Sequence, residues 1–377
     1  MAAVALPAVT SPLEAQSAGD RFPRKYLFSL IGVAVGSAVG ASYIAFQGQS
    51  QPGNCGRPSC VVTVTVAAGA LVGYMIGREF DELHSLRYRS GRPLSPSSIA
   101  AGLSGDPTVL SVERDRVAVG GTAGVQLFRS TGDGLSADGQ RASGVRGIAA
   151  LDLASPGGLA LGSITGLYVF PPSEGPGTLV RPGEIGATIT AGDRVFIGSG
   201  TVVESAPLSA DTARHWPGID VGARVRDLEV DVGRGILWAL TDSAVVALRI
   251  AGDSLEVMGT TRLDVRGRTL AIEDTRIAVA LGEQGVKLYD GSDPTSLREM
   301  GEWTAARFVY DVSLAGTRMF VAAGPEGLYV LDVSAEPVVL GLARELGFAA
   351  AVVSFGPFTY ILDRTSNSVR RIDSEFR

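Results

Sequence analysis

The sequence predicts an all-β seven-bladed β-propeller that follows an N-terminal two-helix transmembrane hairpin. Short apolar strands recur about every 40 residues, turns rich in glycine follow most of them, and two long uncharged segments precede the first repeat. A period near 40 residues is the span of one four-stranded propeller blade. We therefore expect a cytoplasmic tail at 1–25, the hairpin at 26–77, a juxtamembrane helix and linker at 78–99, and the propeller at 100–377.

Each repeat contains a short apolar strand, a turn, and a second strand with alternating apolar residues. The first of these strands begin at Arg116, Leu159, Val195, Leu237, Ile277, Met319 and Thr359. Period-two alternation, β-branched residues and glycine turns favour strands over helices. One four-stranded sheet leaves both its faces uncovered, whereas seven sheets arranged radially cover each other.

The last repeat ends at "SVRRIDSEFR" without an outer strand of its own. The segment around 97–103, just before the first repeat, is expected to supply that strand and to close the ring. An open β-solenoid is the alternative, although it does not normally need a repeat of this length.

Two segments also resemble a known family. The stretches "AAGPEGLYVLDVSAEPVVLG" at 322–341 and "LGEQGVKLYDGSDP" at 281–294 are similar to the LVIVD-type propeller repeats of bacterial proteins. The resemblance covers roughly residues 100–377. That family shares a fold and no common activity, so the resemblance implies architecture and little chemistry.

The membrane hairpin is expected from 26–46 and 61–77, which are 21 and 17 residues without a charge. Glycine recurs at every fourth position in both, at Gly32, Gly36, Gly40, Gly69, Gly73 and Gly77. This spacing resembles a glycine zipper, in which helix backbones approach closely. The alternatives are a cleaved signal peptide for the first segment and glycines that are merely frequent in membrane helices.

Basic residues flank the pair of segments, whereas the loop between them carries only Arg57. The positive-inside rule then places both ends of the hairpin and the propeller in the cytoplasm of a bacterial cell, with the loop outside the inner membrane. That loop contains the only cysteines, Cys55 and Cys60, for which we expect a structural disulfide in an oxidising space. Two free thiols are the alternative.

Composition excludes several functions. Residues 100–377 carry 25 basic and 34 acidic side chains, a net charge of −9, which argues against a broad nucleic-acid surface. The two histidines, His84 and His215, form no cluster, and the cysteines and histidines do not have the spacing of a metal site. The sequence also contains no glycine-rich phosphate-binding loop. We therefore expect no catalytic residue, no metal and no cofactor. Aspartates after strands, at Asp290, Asp332 and Asp363, are expected to bond their own turns.

One pattern suggests binding. Arg146, Arg226 and Arg266 lie in "VRG", "VRD" and "VRG", at the same phase of three blades and at the entrance to the innermost strand. Together they are expected to surround one mouth of the central channel and to attract a carboxylate, a phosphate or an acidic partner segment. The alternative is three solvated arginines, each paired with an acid such as Asp227 or Asp264.

These features predict a non-enzymatic interaction protein. It is expected to hold or stabilise a larger membrane complex, with integral-membrane partners at the hairpin and a soluble or membrane protein at the propeller. The alternative is a membrane-tethered enzyme or anionic-ligand sensor that uses the central channel, since propellers support many activities.

Overall fold

The computed structural model describes residues 91–131, 134–142, 144–154, 158–171, 175–208 and 216–374. Within these ranges, 29 β-strands form seven sheets, and no helix is long and apolar enough to cross a membrane. The tail, the hairpin with its glycines and cysteines, and most of the juxtamembrane helix fall outside the described residues. His215 does so as well.

Six blades are each built from four consecutive antiparallel strands. Their bounds are Pro107–Glu113, Arg116–Gly121, Gly124–Ser130 and Leu135–Arg141 (β3–β6, blade 1); Ile148–Ala154, Gly158–Ser163, Gly166–Phe170 and Thr178–Pro182 (β7–β10, blade 2); Ala187–Ala191, Arg194–Ser199, Val202–Pro207 and Gly218–Asp220 (β11–β14, blade 3); Val225–Asp231, Ile236–Thr241, Ala244–Ala251 and Ser254–Arg262 (β15–β18, blade 4); Thr269–Glu273, Arg276–Ala280, Val286–Asp290 and Arg298–Trp303 (β19–β22, blade 5); and Asp311–Ala315, Arg318–Ala322, Leu328–Asp332 and Val338–Ala343 (β23–β26, blade 6).

Blade 7 is assembled from two distant parts of the chain. Its inner three strands are Ala349–Phe355, Phe358–Asp363 and Ser368–Asp373 (β27–β29), and its outer strand is Ser97–Ala101 (β2). Strand β2 pairs antiparallel with β29, with Ser97 opposite Arg371. The predicted closure of the ring by the segment around 97–103 is therefore confirmed.

The residues just before β2 also belong to the propeller. Arg92–Pro93 form a two-residue strand (β1) that runs parallel to β26, with Arg92 opposite Gly341. These two residues fall within the expected juxtamembrane helix and linker at 78–99, for which the sequence predicts no strand. Proline is tolerated here because β1 is an edge strand, where a missing N–H costs no ladder bond.

The core lies between the blades. In the described residues the buried apolar side chains form seven clusters, one at each interface between neighbouring blades. Trp238 of blade 4 packs with Ile277 of blade 5, and both are fully buried. Burial of a large side chain stabilises a fold by roughly 1.5–3 kcal/mol. Each sheet is therefore stabilised by its neighbours on both faces.

The glycine pair of the repeated turns has two separate tasks, seen at Gly324 and Gly327 in blade 6. The Gly324 N–H donates to the Ala349 carbonyl of blade 7, and its carbonyl accepts from the Ala349 N–H. Gly327 has a φ of +90°, and a Cβ there would lie 1.9 Å from the Ala343 carbonyl oxygen. Gly285 of blade 5 has the same environment, with a Cβ position 2.0 Å from the Trp303 oxygen. The first glycine of the turn thus bonds to the next blade. The second allows the outer strand of its own blade to approach the turn closely.

Replacing Gly327 with alanine should destabilise the propeller, because the new Cβ combines an unfavourable φ with a backbone clash. We expect the free energy of unfolding to fall by about 3 kcal/mol, as for other strained or overpacked sites. All three tryptophans, Trp216, Trp238 and Trp303, lie in the propeller. Urea unfolding followed by tryptophan fluorescence therefore reports on this region in the full chain.

Gly356→Ala is the matched control for that substitution. Gly356 has a φ of +57°, and no atom lies within 4 Å of the position that a Cβ would occupy. The Gly356→Ala substitution should lower the free energy of unfolding only by the conformational strain, on the order of 1 kcal/mol. Equal losses for the two variants would show that the close approach of Gly327 to Ala343 is unimportant.

Candidate functional site

The seven inner strands surround a central channel of about 680 Å³. Inner strands β3, β7, β11, β15, β19, β23 and β27 each contact the next, and β27 contacts β3. A cavity of this volume lies in the range of small-molecule sites. Its walls carry backbone edges as well as side chains, because no strand of the described ranges pairs with the inner edge of these seven strands.

Aspartates of one blade accept hydrogen bonds from the unpaired backbone N–H groups of the next blade. Asp227 of β15 accepts from the Leu270 N–H of β19 at 2.8 Å, and Asp311 of β23 accepts from the Val352 N–H of β27 at 2.8 Å. Asp152 of β7 accepts from the Thr190 N–H of β11 at 2.7 Å. An unpaired buried N–H group is costly. These carboxylates therefore satisfy the inner edges of neighbouring blades.

Serines also accept backbone N–H groups of the next blade, in blade 1 without a carboxylate and in blade 6 beside Asp311. Ser111 Oγ of blade 1 accepts from the Leu153 N–H at 3.1 Å, and Ser313 Oγ of blade 6 accepts from the Ser354 N–H at 2.9 Å. Each of these bonds also joins one blade to the next. Polar residues of the channel wall are thus part of the structure that holds the ring together.

Desolvation in the narrow channel makes its partly buried carboxylates hard to ionise. It raises the pKa of Asp152 to about 6, that of Asp227 to about 7 and that of Asp311 to about 6. Glu229 also lines the channel, and burial together with the charges of the three aspartates raises its pKa well above the ordinary value. Within the described residues the Glu229 side chain makes no hydrogen bond and no ion pair, so its charge is uncompensated when it ionises.

No group of three or more histidine, cysteine, aspartate or glutamate residues in the described ranges is arranged to hold a metal ion. The aspartates that follow strands behave as turn residues. Asp290 accepts from the Ser292 N–H and Asp332 from the Ser334 N–H, both at 2.9 Å, as predicted. Asp363 is fully buried, and besides Ser366 in its own turn it accepts from the Phe348 N–H at 3.1 Å.

We call the end of the channel at which the inner strands begin the mouth. Arg226, Arg268, Tyr310, Phe348 and Arg364 line the channel at this end. Arg268, Tyr310 and Phe348 each stand directly before an inner strand, whereas Arg364 directly follows β28. Two arginines of the mouth are paired: Arg226 with Asp242 at 2.6 Å and Arg364 with Asp106 at 2.8 Å.

The three arginines predicted from the sequence all lie at this end. Arg226 is the second residue of β15, whereas Arg146 and Arg266 lie in the connections that lead into β7 and β19. Asp242 contacts both Arg226 and Arg266, with Nε–Oδ1 distances of 2.6 and 2.9 Å. The acid that pairs with them is therefore Asp242, rather than Asp227 or Asp264.

The side chain of Arg146 is exposed, and no ion pair joins it to another described residue. The hydrogen bond from Arg226 lowers the pKa of Asp242, so this acid remains ionised between the two arginines. Asp227 instead faces the channel and serves the next blade. Only Arg226 of the predicted three lines the channel itself.

Sequence reasoning missed Arg268, Tyr310 and Phe348. The signal that marks them is their position immediately before an inner strand, which becomes visible once the repeats are aligned on those strands. Blades 2 and 3 have Gly147 and Gly186 at this position. Large side chains occupy this position in blades 4 to 7, with Arg224 directly before β15, whereas blades 2 and 3 have none there.

Comparisons with known proteins agree on the fold. No protein-family model matches the sequence, and no curated protein matches it. Among solved structures, the chain is similar to the WD40 β-propeller domain of Doa1, with 16% identity, a TM-score of 0.58, and coverage of 74% of this chain and 97% of that one.

Two further solved structures give the same result. A chain of the mitotic checkpoint complex has 10% identity and a TM-score of 0.59, and 74% and 93% of the two chains are covered. The computationally designed Ika8 protein has 12% identity and a TM-score of 0.51, with 74% and 99% covered. At these identities the likeness shows the fold alone: the described region is a seven-bladed β-propeller.

The channel carboxylates predict an unusual dependence of stability on pH. Their pKa values rise on folding from about 3.8 to about 6 or 7, so the folded state binds more protons than the unfolded state between these values. Stability should then fall as the pH rises from about 4 to about 7. Replacing Glu229 with glutamine should raise the free energy of unfolding at pH 8 and change it little at pH 5.

Urea unfolding of the full chain in detergent at the two pH values measures this difference. Glu283→Gln is the control, because Glu283 is exposed in the turn between β20 and β21. It should have little effect at either pH. A Glu229→Gln variant that loses stability at pH 8 would mean that the ionised carboxylate has a favourable partner in the channel.

Proposed function

We propose that the protein is a non-enzymatic, membrane-anchored β-propeller that acts as a scaffold or stabilising accessory subunit of a larger membrane complex. The observation that carries this proposal is a seven-bladed propeller preceded in sequence by two uncharged segments of membrane-spanning length. The β-propeller is generally a scaffold for protein interactions. Its channel carboxylates have a structural explanation, because they accept backbone N–H groups of neighbouring blades.

In this proposal the hairpin and the propeller have different partners. The glycine stripes at Gly32, Gly36 and Gly40 and at Gly69, Gly73 and Gly77 pack the hairpin helices against each other or against integral-membrane partners. A disulfide between Cys55 and Cys60 closes the outer loop. The propeller lies on the cytoplasmic side of a bacterial inner membrane and binds a protein through its mouth, where Arg146, Arg226 and Arg266 attract an acidic surface.

The alternative function is an enzyme or an anionic-ligand sensor that uses the channel. The observation in its favour is the set of carboxylates with raised pKa values around a cavity of ligand size, since such groups cluster at functional sites. A small molecule that remains bound in the channel through purification would favour this alternative.

Purification of the full chain in a mild detergent, followed by mass spectrometry, tests the scaffold role. We expect integral-membrane proteins to co-purify in fixed proportion. Gly36→Leu should reduce their recovery, because a large side chain separates helices that pack along the stripe. Ala34→Leu, half a helical turn away, is the matched control and should retain the partners. A wild-type chain that purifies alone would contradict the proposal.

Topology is tested separately by reporter fusions after Arg377. Green fluorescent protein should fluoresce and alkaline phosphatase should stay inactive, because the positive-inside rule places this end in the cytoplasm. Active phosphatase joined to a dark fluorescent protein would instead place the propeller outside the cytoplasm.

A further inference from the structure

Among the described arginines that line the channel, which are Arg226, Arg268 and Arg364, Arg268 alone has no ion pair. Arg226 and Arg266 share Asp242, and Arg364 is paired with Asp106. In the described part of the chain, the Arg268 side chain makes neither an ion pair nor a hydrogen bond. A guanidinium group carries five N–H donors and stays charged at any physiological pH. Its hydrogen-bonding capacity is therefore open to a ligand.

Aromatic rings hold this guanidinium in place. The Arg268 Cζ atom lies 4.9 Å from the centroid of the Phe308 ring and 5.6 Å from that of Tyr310. Phe308 and Tyr310 have centroids 4.7 Å apart, and Tyr310 and Phe348 have centroids 4.9 Å apart. Stacking on rings fixes the plane of a guanidinium without using its donors. The mouth thus presents an oriented, unpaired charge beside a row of three partly buried rings.

The interior of the channel restricts how deep an anion can go. Asp227 follows Arg226 and Asp311 follows Tyr310, so carboxylates begin one residue below the mouth. Glu229 lies further along the same wall. An anion bound by Arg268 is repelled from the interior and remains at the level of the mouth, where the Phe308, Tyr310 and Phe348 rings are within reach.

We propose that the mouth is a docking site for an acidic peptide segment of a partner protein, with Arg268 binding a carboxylate and the Phe308, Tyr310 and Phe348 row contacting an adjacent apolar side chain. This inference rests on the proposed scaffold function and specifies the chemistry of its soluble partner. Arginine and aromatic residues are the types that dominate protein interfaces energetically.

Two further observations favour a peptide over a free phosphate or carboxylate. A small anion makes no use of three aromatic rings, whereas a peptide with an apolar residue beside its acid does. Gly147 and Gly186 also place no side chain of their own at the mouth, and the exposed Ile164 beside Gly147 offers a further apolar contact to an extended segment.

The test uses the full chain in detergent and a fluorescein-labelled peptide of four glutamates around one phenylalanine. Fluorescence anisotropy should show binding that weakens as salt is added. Arg268→Gln should weaken it at least tenfold, since a charge-assisted bond is worth more than a neutral one. Arg268→Lys should give an intermediate loss, because it keeps the charge without the planar fork. The tryptophan fluorescence of both variants should match that of the wild type.

Arg249→Gln is the matched control. Arg249 is an exposed arginine of β17 that is paired with Glu256. Its replacement should change the peptide affinity less than twofold. A peptide with glutamines in place of the glutamates should not bind, and inorganic phosphate at the same concentration should not displace the acidic peptide.

Two outcomes of the binding measurements would overturn the inference: no binding of the acidic peptide, or equal affinity of wild type and Arg268→Gln for it. A third would be displacement of the labelled peptide by phosphate as effectively as by unlabelled peptide, which would indicate a small-anion site. Co-purification of membrane partners distinguishes a failure of this inference from a failure of the scaffold role. Membrane partners that accompany both wild type and Arg268→Gln, with no acidic-peptide binding, would end the inference while leaving the scaffold role in place.

Discussion

The contact between neighbouring blades is the interaction on which the whole structure depends. A single four-stranded sheet has two apolar faces, and here each face is covered only by another blade. The seven buried clusters lie at the seven interfaces, and the largest buried side chains, such as Trp238 and Phe320, belong to them. Because each blade needs a neighbour on both sides, an open array would leave two faces exposed, and the pairing of β2 with β29 removes that problem.

Closing the ring creates a second requirement at its centre. The inner strands have no partner along their inner edges, so their N–H groups need acceptors. Asp152, Asp227 and Asp311 provide them, although burial makes the ionised form of each unfavourable. The result is an electrostatic division of the channel, with carboxylates along the wall and arginines at the mouth. The position of the carboxylates follows from backbone chemistry and needs no ligand to explain it.

Most of the architecture was readable from the sequence because it is carried by local patterns. Alternating strands and glycine turns recur in every blade, and the missing outer strand of the last repeat indicated the closure. The β-structure of Arg92 and Pro93 was not readable, because a two-residue strand has no periodicity and depends on an edge supplied by β26. The partner of Arg226 and Arg266 was also missed, since Asp242 is brought to them by strand pairing.

The candidate site was predicted only in outline. The "VRG" and "VRD" motifs located the correct end of the channel, whereas Arg268 and Tyr310 were overlooked because they share a structural position and no common residue type. The role of Asp227 was likewise hidden. Beside Arg226 it resembles half of an ion pair, yet its side chain reaches the backbone of the next blade. A contact of that kind spans 43 residues and leaves no local signal.

The composite seventh blade has a consequence for biosynthesis. A ribosome makes β2 before every other blade strand except the two-residue β1, yet its partner β29 is the last described strand to be made. Until then β2 remains an unsatisfied edge, and blades 1 and 6 each keep an uncovered face. Contacts between such distant segments form slowly, and exposed strand edges are prone to pair with other chains. Because β26 is made before β29, a pairing of β1 with β26 once blade 6 is complete would hold β2 close to its final position and shorten the interval in which β2 is exposed.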